Sequence, residues 1–304
     1  MAASGGTKAI LAALFANFGL AVAKFVGFVI TGASSMLAEA IHSVADTSNQ
    51  ALLLLGGRLA RRDATVQHPF GFGRERYFWS FVVALVLFTV GSLYALYEGI
   101  DKIRHPHEID FPVVAFAVLS VGIVLEGFSM RTAVIESNRV RGKASWSSFV
   151  RHSRNPELPV VLLEDLGALV GLILALGALV IAVVFDAPVW DGIGTLSIGV
   201  LLGLIAVVLA AEMRSLLLGE SATAADDAAI RRTIASTEGV RSLIHLRTQH
   251  IGPEELLVGA KVSFDGSYTT ADLVEAINRV EQRTRAAVPI ARIMYVEPDI
   301  PPDS

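Results

Sequence analysis

Six stretches of this chain, at residues 8–31, 34–57, 77–100, 112–133, 158–184 and 192–213, are apolar over lengths near the roughly 20 residues that an α-helix needs to cross a bilayer. Six such runs cannot be hidden in one soluble core. In hydrocarbon every backbone N–H and C=O must find its partner within its own helix. The predicted fold is therefore an α-helical membrane protein with six transmembrane helices. A hydrophobic content of 53 %, a charged content of 18 % and a mean hydropathy of +0.57 agree with it. The first run, Ile10 to Ile30, is long for a signal-peptide core and leads straight into another apolar segment, so it reads as a retained helix.

An even number of crossings puts both ends on one side, and the basic residues say which. Arg58, Arg61, Arg62, Arg74 and Arg76 crowd the second connection, and Arg131, Arg139, Arg141, Lys143, Arg151 and Arg154 the fourth. The opposite loops TGASS and FDAPVWDG carry no basic residue, and the third connection has only Lys102 and Arg104. Since Lys and Arg gather on cytoplasmic loops, both termini are expected in the cytoplasm. The expected setting is the plasma (inner) membrane. A net charge of -4 points to no nucleic-acid partner, and the absence of cysteine removes disulfides and thiolate chemistry.

After Met213 the composition becomes that of a soluble domain, so the chain is expected to divide into a transport domain at 1–213 and a cytoplasmic domain at 214–304. TAAD at 223–226 and TTAD at 269–272 fit the start of a capped helix. RSLIHLRTQHIG, ELLVGAKVSF and IARIMYVEP alternate apolar and polar residues as half-buried strands do. The predicted tail is α+β, in the order α-β-β-α-β, with a metallochaperone-like arrangement of two helices on a small sheet.

The chemistry lies where the membrane should forbid it. EAIHSVADTSNQ, residues 39–50, sets His42 and Asp46 one helical turn apart inside the second apolar run. An ionised Asp near the centre of a membrane helix costs roughly 2.5–3.5 kcal/mol on insertion scales, so such a residue has a partner or a polar cavity. Residues four apart lie on one face about 6 Å apart along the axis. An imidazole and a carboxylate at one point are two of the four ligands that tetrahedral Zn²⁺ takes. Glu39 and Asn49 extend the stripe by a turn each way and line the path. A buried polar pair holding helices together is the plainer alternative. Further ligands must come from another helix, and the fifth run, NPELPVVLLEDLGALVGLILALGALV, carries adjacent Glu164 and Asp165. Glu126 in VLEGFSM is a further candidate, expected closer to the basic end of its helix.

The helix count, AEAIHSVADT on the second helix, HPFGFGRER just after it, a carboxylate on the fifth and the α-β-β-α-β tail together resemble the cation diffusion facilitator (CDF) family over nearly the whole chain. The resemblance implies a homodimer that exports divalent transition metals, usually zinc, in exchange for protons, with no prosthetic group. It also implies a four-ligand site shared by the second and fifth helices. Carried onto this chain, His42 and Asp46 match the H-x-x-x-D pair, and Asp165 matches the second acid of the fifth helix. Glu164 then becomes a base or relay that orients a ligand or water.

The chain departs from the family pattern at several positions. Val161 stands where the family has a ligand four residues before that acid, so Glu164, Glu126 or water has to replace it. In the loop site that some members use, His68 matches, but Thr65 and Phe72 stand in place of an acid and a histidine. In the tail, His245 is kept, whereas Lys261 and Tyr295 replace histidines and Glu297 an aspartate. His245 and His250 are accordingly expected to be strand residues as readily as ligands. An imidazole argues against Mg²⁺, which prefers oxygen shells, and among Zn²⁺, Co²⁺, Mn²⁺, Fe²⁺ and Ni²⁺ zinc leads because histidine with carboxylates suits it. Two other classes compete with a transporter. One is a non-transporting regulatory partner, motivated by Val161. The other is an intramembrane metal hydrolase with Glu164 as base, which lacks an H-E-x-x-H motif.

Overall fold

The structure is a computed structural model that describes residues 2–31, 34–86, 91–106 and 112–301. Within the first two helices the side chains of residues 2–9, 24, 27, 28, 30, 31, 34–42 and 45 are outside the described set. The chain divides into two compact units, one of Met1–Leu59 with Arg76–Arg214 and the other of Ala60–Glu75 with Ser215–Ser304.

The first unit is helical: α1 (Ala2–Thr31), α2 (Ser34–Leu59), α3 (Glu75–Val86), α4 (Leu93–Arg104), α5 (Pro112–Arg141), α6 (Trp146–His152), α7 (Glu157–Val184) and α8 (Val189–Leu218). Among the described residues, α5, α7 and α8 are long and apolar enough to cross a membrane, and Ile10–Ala23 is a shorter apolar stretch. The third expected crossing, 77–100, is seen as α3 and α4 of 12 residues each, with residues 87–90 outside the described set. α5 runs to Arg141, well past the apolar run that ends near 133, because a helix does not stop where its apolar residues do. α8 likewise continues to Leu218. There Gly219 at φ +105°, a conformation that glycine adopts without penalty, turns the chain while its N–H donates to Ser215 O at 3.1 Å.

α1 packs on α2, and α5 packs on both α7 and α1. α4 and α8 approach through glycines. A Cβ on Gly99 would lie 2.5 Å from Leu196 N, and one on Gly199 2.8 Å from Leu96 N. Ser92 Oγ uses the closeness to donate to Gly199 O at 2.8 Å. The α7 stripe of Gly167 and Gly171 also faces α8, where added Cβ atoms would meet Ile205 Cδ1 at 2.8 Å and Ile198 Cγ2 at 3.6 Å.

The second unit holds α9 (Ala224–Ala235), β1 (Val240–Gly252), β2 (Glu255–Phe264), α10 (Thr270–Ala287) and β3 (Ile293–Pro298), in the expected α-β-β-α-β order. The sheet runs β1-β2-β3, with β1 and β2 antiparallel and β2 and β3 parallel, so α10 is the crossover between parallel neighbours. Thr269 and Asp272 form the full reciprocal capping box of α10. Thr223 caps α9, accepting from Asp226 N at 3.1 Å. The buried residues of β2, Leu256, Val258, Ala260, Val262 and Phe264, alternate along the strand and pack on Ile230, Ile234, Ala276 and Val280 of the two helices.

Candidate metal site

α2 stays helical through its polar stretch by tying hydroxyls back to its own carbonyls. Thr47 Oγ1 donates to Ser43 O and Ser48 Oγ to Val44 O, both at 2.8 Å. The stripe of His42, Asp46 and Asn49 then lies along one helix face. The side chains of His42 and Glu39 lie outside the described residues. Asp46 is half-buried and stands close enough to both Glu164 and Asp165 of α7 for the charges to interact. Glu164 of the fifth-run pair reaches α2, the helix that carries the second-helix acid.

Successive helical residues point about 100° apart, and the two α7 acids divide accordingly. Glu164 turns to α2, where Asn49 Nδ2 donates to its Oε1 at 3.3 Å. Asp165 turns to α5, where Ser129 Oγ donates to its Oδ2 at 2.8 Å. Asn49, Glu164 and Asp165 expose only 2 %, 6 % and 2 % of their surface, so these polar side chains are buried between α2, α5 and α7. Nearby, Asn17 of α1 and the fully buried Gln50 of α2 approach at 3.5 Å.

Val161 is wholly buried at the position where a further ligand was expected. Glu126 is buried as well. It lies about one turn from Ser129 along α5. Ser129 itself had no signal in the sequence beyond its spacing of three from Glu126. Among the described residues no three His, Asp or Glu side chains close on one point; His42 is not among those residues.

The accessory histidines have other company. His68 and Phe72 stack with ring centres 4.7 Å apart, and Arg62 lies over the Phe72 ring at 5.0 Å. His245 Nε2 accepts from Arg247 Nε at 2.8 Å, and His250 is buried with Nδ1 3.3 Å from Gly252 O. His245, Lys261 and Glu297 form one row across β1, β2 and β3. Lys261 Nζ sits 3.1 Å from Glu297 and 3.0 Å from Asp299. Hydrogen bonds to those acids, Asp299 foremost, hold the ammonium above the ordinary lysine range, and the bond from Lys261 holds Asp299 below the ordinary carboxylate range.

The sequence pattern of the cation efflux transmembrane domain matches residues 10–218, and that of the cation efflux protein cytoplasmic domain matches residues 223–299. The proton-coupled zinc antiporter SLC30A9, mitochondrial, of Xenopus laevis is 32 % identical over 274 residues, 89 % of this chain and 49 % of its own. The human protein of the same name is 31 % identical over 273 residues, 89 % of this chain and 48 % of its own. The metal cation efflux system protein CzcD of Cupriavidus metallidurans is 29 % identical over 127 residues, 42 % of this chain and 40 % of its own. The chain spans about half the length of the antiporters it matches. With both domain patterns matched in order, this chain belongs to the cation efflux (CDF) family, whose first domain is a membrane domain.

Proposed function

We propose that this chain exports divalent transition-metal cations, zinc foremost, in exchange for protons, working as a homodimer by alternating access. The observation that carries the reading is the burial of Glu164 and Asp165 side by side on α7, with Glu164 hydrogen-bonded to Asn49 of α2, three residues after Asp46 on that helix. Carboxyl groups buried in hydrocarbon require compensation by a cation or by protons. A site that must hold one or the other is suited to exchanging them, because ligands bind metal only when deprotonated. His42 and Asp46 from α2 and Asp165 from α7 are the ligands. The relatives' name, proton-coupled zinc antiporter, supports the choice of ion and of coupling. α1, α2 and the α3–α4 stretch complete six crossings, with 1–213 as the transport domain and 214–304 as the cytoplasmic one. The membrane is the plasma membrane, with both termini on the cytoplasmic side; the mitochondrial relatives supply the alternative. α2 and α7 move around the ion so that it opens to one side at a time.

Val161, buried and unable to ligate, favours a second reading as a non-transporting regulatory partner. One experiment separates the two readings. The purified full chain is placed in proteoliposomes with a zinc dye inside and a pH gradient across the membrane. Zinc entry that follows the gradient and stops when it is dissipated is the expected result. No entry with the protein alone would favour the regulatory partner.

A further inference from the structure

We infer that the Arg76–Glu157 ion pair is a gate: it closes the seam between α2 and α7 at the end that meets the basic connections, and it parts when an ion passes between that side and the buried acids. This rests on the export reading above. Two contacts mark the seam. Asn49 of α2 donates to Glu164 of α7 at 3.3 Å. Nearer the start of α7, Glu157 Oε1 is 3.5 Å from where a Cβ on Gly57 of α2 would stand. The two contacts follow one another along the same two helices, and at 1.5 Å per residue they lie about 10 Å apart. Leu53 of α2 and Val161 of α7 come between them in sequence, and both are buried.

The pair stands where the seam ends. α2 stops at Leu59, α3 begins at Glu75 and α7 begins at Glu157, so all three helices present here the ends joined by the Arg-rich connections. Arg76 reaches from α3 to α7 with two nitrogens, Nε to Oε1 at 2.6 Å and Nη2 to Oε2 at 2.7 Å. Its neighbours on α3 complete the closure. Tyr77 is wholly buried and its hydroxyl donates to Arg154 O at 3.3 Å, while Trp79 covers Gly56 of α2, where an added Cβ would stand 2.8 Å from Trp79 Cβ. Stability alone does not account for a buried ion pair here, because apolar residues of similar volume often serve a fold as well or better. A gate does account for it. The bidentate pair has one defined geometry when closed, and each charge is taken up by water when the helix ends part.

The chain has no cysteine, so a single introduced one reports access. The test places Leu53→Cys in the full chain, in oriented vesicles, and follows its modification by membrane-impermeant methanethiosulfonates of both charge signs added on the side of the basic connections. Modification is slow with the pair intact. With Arg76→Ala it becomes roughly tenfold faster or more for both reagents, since access tracks the population of the open form. Glu157→Gln repeats the test should the alanine variant fail to fold, and the exchanged pair, Arg76→Glu with Glu157→Arg, regains most of the shielding. Ala178→Cys, packed on Gly194 of α8 far along α7, stays slow throughout. With the pair intact, zinc and a pH gradient that drive turnover speed modification of Leu53→Cys by about threefold or more, at constant pH on the reagent side. Equal modification with and without the pair, a matching rise at Ala178→Cys, or zinc entry with no change in modification would overturn the inference; normal zinc entry in that case leaves the export reading standing. A wild-type chain that carries no zinc would overturn both.

Discussion

Arg76 and Glu157 meet in a two-pronged ion pair, Nε to Oε1 at 2.6 Å and Nη2 to Oε2 at 2.7 Å. Their side chains are 11 % and 4 % exposed. Glu157 opens α7, where a negative charge also suits the helix dipole, and a Cβ on Gly57 of α2 would lie 3.5 Å from its Oε1. The pair therefore fixes the start of the helix that carries Glu164 and Asp165. Removing one partner leaves a buried charge without compensation, which costs about 3–5 kcal/mol. Arg76→Ala and Glu157→Ala are each expected to lower the thermal midpoint of the detergent-solubilised protein. Arg76→Met with Glu157→Met should lose less than either single change. A double variant as unstable as the sum of the singles would contradict the coupling.

The α4–α8 contact depends on the absence of side chains. A Cβ on Gly99 would meet backbone at 2.5 Å, which a rotamer change cannot relieve. Gly99→Val is expected to destabilise by about 1–3 kcal/mol or more. Gly177, with nothing within 4 Å of an added Cβ, is the control. Gly177→Ala should be neutral or stabilising by up to about 1 kcal/mol through helix propensity. Paired thermal melts of the two variants check both outcomes.

The tail and the acids of the membrane run were legible in the sequence for different reasons. In the tail, strand alternation and the Thr269–Asp272 cap are local signals, so the α-β-β-α-β order could be read directly. In the membrane unit, Asp46, Glu164 and Asp165 stood out because charge in an apolar run is costly. Their partners did not stand out. Ser129 is one hydroxyl in a long apolar helix, and nothing in its own sequence says that α7 brings Asp165 to it. The stripe of Gly167 and Gly171 faces α8 while Glu164, on the same helix, reaches α2.

Lys261 makes the tail's ion pairing pH-dependent with a definite sign. The folded pKa of Asp299 lies below its ordinary value, so its contribution is present above the ordinary carboxylate range and is lost as pH falls through the lowered value. The folded pKa of Lys261 lies above its ordinary value, so its contribution is complete below the ordinary lysine range and is lost as pH rises through the raised value. Lys261→Met should move the Asp299 carboxyl titration, followed by carbon-13 NMR, up toward the ordinary range. An unmoved titration would show that Lys261 does not hold that acid.

The central claim is that a metal passes between α2 and α7 on His42, Asp46 and the α7 acids. Zinc transport into proteoliposomes under a pH gradient tests it most directly, with wild type, His42→Ala, Asp46→Ala and Asp165→Asn compared at matched protein level and with folding checked by gel filtration. The predicted result is gradient-driven zinc entry by the wild type and none above background by any of the three folded variants. Wild-type rates of entry in His42→Ala or Asp46→Ala would contradict the account.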